Sequence, residues 1–135
     1  MYRIFILMIT LFFPAVILGN SSPPQEIDLI EKISNALNAG DASKLAVHFN
    51  TTVDLMIPGN EGSYSKKQTE QIVKAFFAGQ PVQSFKLDRK GNSNDGSQYM
   101  IGILKTTVGK TFRVYIFIKT GTAENLIQQL QFEEE

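Results

Sequence analysis

From Val82 onward the chain reads as strand and turn, and no other feature constrains the fold as strongly. Four segments, near 83–90, 98–107, 111–119 and 125–133, are separated by GNSNDGS, VGK and TGTAE. Residues of that kind tolerate positive φ, and connections this short join antiparallel neighbours. TFRVYIFIK alternates most clearly, with Phe112, Val114, Ile116 and Ile118 on one face and Arg113, Tyr115, Phe117 and Lys119 on the other. A sheet with such an apolar face needs a cover, and the sequence upstream can supply one.

That upstream part is mostly helical. On a wheel starting at Gln25, Leu29, Ile30, Ile33, Ala36 and Leu37 share one side, while Asp28, Glu31, Lys32, Asn35 and Asn38 share the other. Pro24 suits the opening of this helix, because its missing N–H would be unpaired there anyway. Gly40 fits a left-handed C-cap, and Asp41 is a good N-cap for a second helix running through Phe49. Its stripe is Ala42, Leu45, Ala46 and Phe49, and His48, the one histidine of the chain, falls beside Lys44 at the stripe's edge. Val53, Leu55 and Ile57 then alternate with Asp54 and Met56 in a strand that Pro58-Gly59 ends. A third helix is predicted over YSKKQTEQIVKAFFAGQP. Ser65 and Gln68 have capping-box spacing, Gly79 and Pro81 close the helix, and Thr69, Ile72, Val73, Phe76 and Phe77 form its buried face. The expected fold class is α+β, with three N-terminal helices packed on a curved, mainly antiparallel sheet.

The first residues read differently. Arg3 precedes an apolar run from Ile4 to Leu18, broken only by Thr10 and Pro14, and small residues follow it. This is the pattern of a secretory signal peptide over residues 1–21, with cleavage after Ser21 and a single domain over 22–135. An uncleaved anchor is the competing reading, but a run interrupted by proline is short for a span of about twenty residues. With no cysteine in the chain, lipidation at a leader cysteine, disulfides, thiolate catalysis and cysteine-based zinc sites are excluded. The expected product is exported, periplasmic or extracellular, and free of the membrane after cleavage. Basic and acidic residues number 13 each, and losing Arg3 with the leader tips the balance by one negative charge. Nothing in that balance favours nucleic acid or an anionic membrane.

ALNAGDASKLAVHFNTTVDLMIPG, with the helix-helix-strand-helix order around it and the four strands that follow, resembles the nuclear-transport-factor-two-like superfamily. Ketosteroid isomerases and polyketide cyclases belong to it. The resemblance covers roughly residues 25–133 and implies a cone-shaped, cystatin-like fold. GNEGSYSKKQTEQIVKAFF, RKGNSNDGSQYMIGIL and FRVYIFIK resemble, more narrowly, an uncharacterised secreted branch of Bacteroidetes-type bacteria, a domain of unknown function. The superfamily's enzymes place a carboxylate base and hydrogen-bond donors inside the cone.

This sequence matches that chemistry poorly. Asp54 opposes the apolar parity of its strand and faces solvent unless a bulge turns it inward; Asp88 is opposed to Phe85 and Leu87 in the same way. His48 has no acidic neighbour in sequence, so no His-Asp dyad can be carried over. NSNDGS lacks the spacing and closing glutamate of a calcium loop, and no metal or cofactor is expected. The favoured reading is an exported, non-catalytic binding module, holding a small apolar ligand in the cone or an envelope protein on the sheet. Tyr64, Phe76, Phe77 and Tyr99 are the candidate ligand-binding residues. The alternative is an isomerase- or cyclase-like enzyme with Asp54 as general base and Tyr64 as donor. Arg113, Tyr115 and Phe117 are candidate interface residues for a homodimer through the outer sheet face, which resembling proteins commonly use; cover by a helix or terminal segment of the same chain is the competing account.

Overall fold

The computed structural model describes residues 28–120 and 125–135. The signal peptide, the opening role of Pro24 and most of the TGTAE connection lie outside the described residues. Three helices, α1 (Leu29–Ala39), α2 (Ala42–Ala46) and α3 (Lys66–Gly79), accompany six strands: β1 (Phe49–Ile57), β2 (Asn60–Ser65), β3 (Val82–Asn92), β4 (Gln98–Thr106), β5 (Thr111–Thr120) and β6 (Asn125–Glu134). The strands form one sheet in the order β2-β1-β6-β5-β4-β3. Every pairing is antiparallel except β1 with β6, which is parallel.

Local chemistry sets the first helices. Asp28 caps α1 by accepting from the Ile30 N–H, and Gly40 ends it at φ 61, where a side chain would be strained. The Asp41 carboxylate then accepts from the Lys44 N–H to start α2. The second helix stops at Ala46, short of the predicted Phe49, because Phe49 already belongs to β1 and pairs with Ile127. The Ile127 N–H donates to the His48 carbonyl at 2.7 Å, which ties that turn to the last strand. Strand β2 was not expected. Gly59, at φ 88, folds the chain back after Pro58, and β2 lies against β1 from Ile57↔Asn60 to Thr52↔Ser65 without a register break. The third helix therefore follows two strands instead of the one expected.

All three helices cover one face of the sheet. Ile30, Ile33, Ala36 and Leu37 of α1, Leu45 of α2 and Val73 and Phe77 of α3 share a core with Val53, Leu55, Met100, Leu104, Phe112, Val114, Ile116, Ile118, Leu130 and Phe132. Burial of this continuous apolar surface is the main force holding the layers together. One polar bond assists it, from the Phe85 N–H to Asn38 Oδ1 at 3.0 Å, joining α1 to β3. At the α3 end the interior is filled by rings. Phe76 meets Phe112 edge-on with centroids 5.2 Å apart, and Phe77 meets Phe132 in the same way at 6.0 Å.

Candidate functional site

The β1–β2 hairpin and α3 are joined at Ser65, and the helix runs back over the strands it has just left. A complete capping box fixes this reversal: Ser65 Oγ accepts from the Gln68 N–H at 3.2 Å, and the Ser65 N–H donates to Gln68 Oε1 at 3.3 Å. Between hairpin and helix lies an open groove of about 550 Å³. Its apolar wall is Ile57, Pro58, Tyr64, Ile72, Ala75 and Phe76, and its polar groups are the amides of Asn60, Gln68 and Gln71. Among the described residues no carboxylate, amine or imidazole lines it.

Two of the four predicted ligand residues, Tyr64 and Phe76, meet in this groove. The other two do not. Phe77, one residue further round α3, is 7% exposed and packs into the ring cluster. Tyr99 is on the opposite face of the sheet, paired with Phe117. The buried face expected for α3 is also narrower: Thr69, Val73 and Phe77 are buried, while Ile72 and Phe76 are partly exposed at the groove. Asn60, Gln68, Gln71 and Ala75 were not read as site residues. Their signal is weak in sequence, since polar residues flanking a helix face look like ordinary solvated surface.

The residues of the enzymatic alternative are separated. Tyr64 pairs with Val53 on the helix-covered face, whereas Asp54 pairs with Ser63 on the outer face. Asp54 is exposed there, and its Oδ1 accepts a hydrogen bond from Ser63 Oγ. Asp88 is exposed at a register break of β3. His48 is half-buried, and partial desolvation, then the charges of Lys32 and Lys66, hold its imidazole below the ordinary histidine range. Its charged neighbours are cations, so it lacks the carboxylate that would orient a base. Among the described residues no cluster of three or more His, Asp or Glu is placed to hold a metal ion.

The outer face carries a second feature. In register across two strands stand Tyr99 with Phe117, Ile101 with Tyr115 and Ile103 with Arg113. Of these, Arg113 is exposed and bridges Glu135 at 2.9 Å, and the five apolar side chains are half-buried. The described helices all lie on the other side.

An open six-stranded, mostly antiparallel sheet with helices on one face is the fold of nuclear-transport-factor-two-like and cystatin-like proteins. A cystatin-fold protein from Novosphingobium aromaticivorans matches with a TM-score of 0.56 at 16% identity, over 76% of this chain and 92% of that one. A protein of NTF2 designation matches with a TM-score of 0.61 at 14% identity, over 76% and 91%. The chain belongs to the DUF4783 family, a domain of unknown function, whose profile matches residues 30–133. A family member from Bacteroides uniformis has been solved and is similar with a TM-score of 0.74 and 28% identity, over 79% of this chain and 97% of that chain. No curated protein matches the sequence.

Proposed function

We propose that the protein is an exported, non-catalytic binding module that takes a neutral, partly apolar ligand in the groove between the β1–β2 hairpin and α3. One observation carries the reading: the groove joins an apolar wall to three amide side chains and has no charged residue in its lining. Amides fix a ligand's orientation through hydrogen bonds, and apolar walls supply affinity; isomerase-type chemistry needs, beside a donor such as Tyr64, a carboxylate or imidazole base within reach of the reacting atom. Asp54, the carboxylate of the enzymatic alternative, is on the other side of the sheet. The export component rests on the leader-like residues 1–21, and N-terminal sequencing of the secreted protein is expected to begin at Ser22. Among the described residues no helix is long and apolar enough to cross a membrane.

Nile red, a neutral apolar dye, tests the groove. Saturable binding with a blue-shifted emission is expected for the native chain. Ala75→Trp, which fills the groove from an exposed helical position, is expected to weaken binding by about tenfold or more. Equal binding to both proteins would refute the assignment.

A second reading concerns the outer face. We infer a homodimer in which the Tyr99, Ile101, Ile103, Tyr115 and Phe117 patch meets its own copy. Charge supports this occupant: the outer row of β3 is basic, with Lys86 and Arg89, and that of β6 carries Gln129, Gln131 and Glu133.

A further inference from the structure

We propose that the free edge of β2 docks an extended peptide of alternating apolar and basic residues, which joins the sheet as an added strand and places its apolar side chains in the groove. The proposal rests on the groove reading above: only the neutral, apolar side chains of the peptide would enter the groove, and its basic ones would stay on the outer face.

The two edges of the sheet differ in kind. At the β3 edge the pairing with β4 shifts register twice, between Val82 and Ser84 and between Leu87 and Arg89, and Lys86, Arg89 and Lys90 are exposed along it. Bulges and lysines on an edge are devices that stop further strands from pairing. At the β2 edge there is no register break, no proline and no basic residue, and the single charge is Glu61. All of β2 except Tyr64 is exposed. Among the described residues no strand pairs with this edge, and it is the one beside the groove.

Backbone parity shows what the edge offers. Residues of an antiparallel strand turn their N–H and C=O alternately toward and away from the partner. The Ser65 N–H points away from β1, since it donates to Gln68 Oε1. By the same parity Glu61 and Ser63 direct both of their backbone groups to the free edge. An added strand would bond to those two residues, and its side chains would fall alternately on the two faces. On the covered face they would lie beside Asn60 and Tyr64, in reach of Ile72 and Phe76; apolar groups fit there. On the outer face they would lie beside Glu61, at a shallow depression that Asp54 also lines and that has no basic residue in its lining. Lysine or arginine would complement it. A second copy pairing through β2 fits less well, because β2 has no cation to set against its own Glu61.

The test uses the full chain and a capped peptide of about seven alternating leucines and lysines. Saturable binding in fluorescence anisotropy is expected, with slowed amide exchange at Glu61 and Ser63. Ser63→Pro removes one edge N–H that β1 does not use, a substitution an edge strand tolerates, and should weaken the peptide by about tenfold while leaving Nile red binding unchanged. Glu61→Lys provides a variant with the edge intact: it should reverse the preference in favour of a leucine-glutamate peptide. Peptide binding that ignores both substitutions would overturn strand addition. If Nile red binds and no peptide does, the peptide proposal falls and the groove reading stands; if neither binds, both fall. A concentration-dependent dimer dissolved by Ser63→Pro would replace the peptide with a second copy and so overturn the proposal as well.

Discussion

Asp41 and His48 lie at either end of the same short turn of chain and have opposite importance. The Asp41 side chain satisfies a helix N–H that has no partner within α2. Asp41→Ala is expected to cost about 0.5–2 kcal/mol in urea denaturation. His48 contributes its backbone carbonyl to Ile127, which any residue can do, so His48→Gln is expected to stay within about 0.5 kcal/mol at neutral pH. Acid separates the two proteins. Burial, Lys32 and Lys66 lower the folded-state pKa of His48 below its ordinary value of 6.5, so the unfolded chain takes up the proton first. Stability is then complete above pH 6.5 and declines as pH falls from there through the folded pKa. His48→Gln should lack that part of the decline. Denaturation midpoints taken between pH 7.5 and pH 5 check this, and parallel curves for both proteins would contradict it.

The elements differ in how plainly the sequence declares them, and the difference is physical. The α1–α2 break was legible because Gly40 and Asp41 do their work locally, through one backbone conformation and one side-chain cap. A Cβ on Gly40 would also press on the Val82 side chain at 3.1 Å. Gly40→Ala is therefore expected to cost about 1–2 kcal/mol from the left-handed backbone alone, read as a lowered thermal midpoint. The strands β3 to β6 were legible from turn residues and alternation. β2 was not, because NEGSYS has no apolar alternation; it is a strand because the hairpin turn lays it on β1. Part of the site was hidden for the same reason. Tyr64 and Phe76 stand out singly as aromatics, but their meeting depends on where α3 crosses the hairpin. Phe77 turns into the core by one step of the helix, and the β4–β5 register carries Tyr99 to the outer face. The capping box links local chemistry to the groove. Ser65→Ala should cost about 1 kcal/mol and weaken Nile red binding, because it loosens the joint that sets α3 over the hairpin.

For the molecule as a whole, one face of the sheet is accounted for by three helices and the other is bare among the described residues. An antiparallel sheet with a solvated face normally makes that face polar. Here β4 and β5 set Tyr99, Ile101, Ile103, Tyr115 and Phe117 side by side. A two-fold axis along the strands between β4 and β5 would lay this patch on itself, and would bring β3 of each copy over β6 of the other, with Lys86 and Arg89 facing the row that ends in Glu133. Such an isologous contact closes at two subunits and extends no further. It also leaves the groove on the far side of each sheet open, so each subunit of the dimer would present one binding site outward. Light scattering on the native chain is expected to give twice the monomer mass at micromolar concentration. Tyr115→Glu/Phe117→Lys puts one charge of each sign into the centre of the contact and should give a folded monomer that still binds Nile red. A native monomer over that concentration range would refute the dimer, and a double variant of unchanged dimeric mass would move the interface off this face.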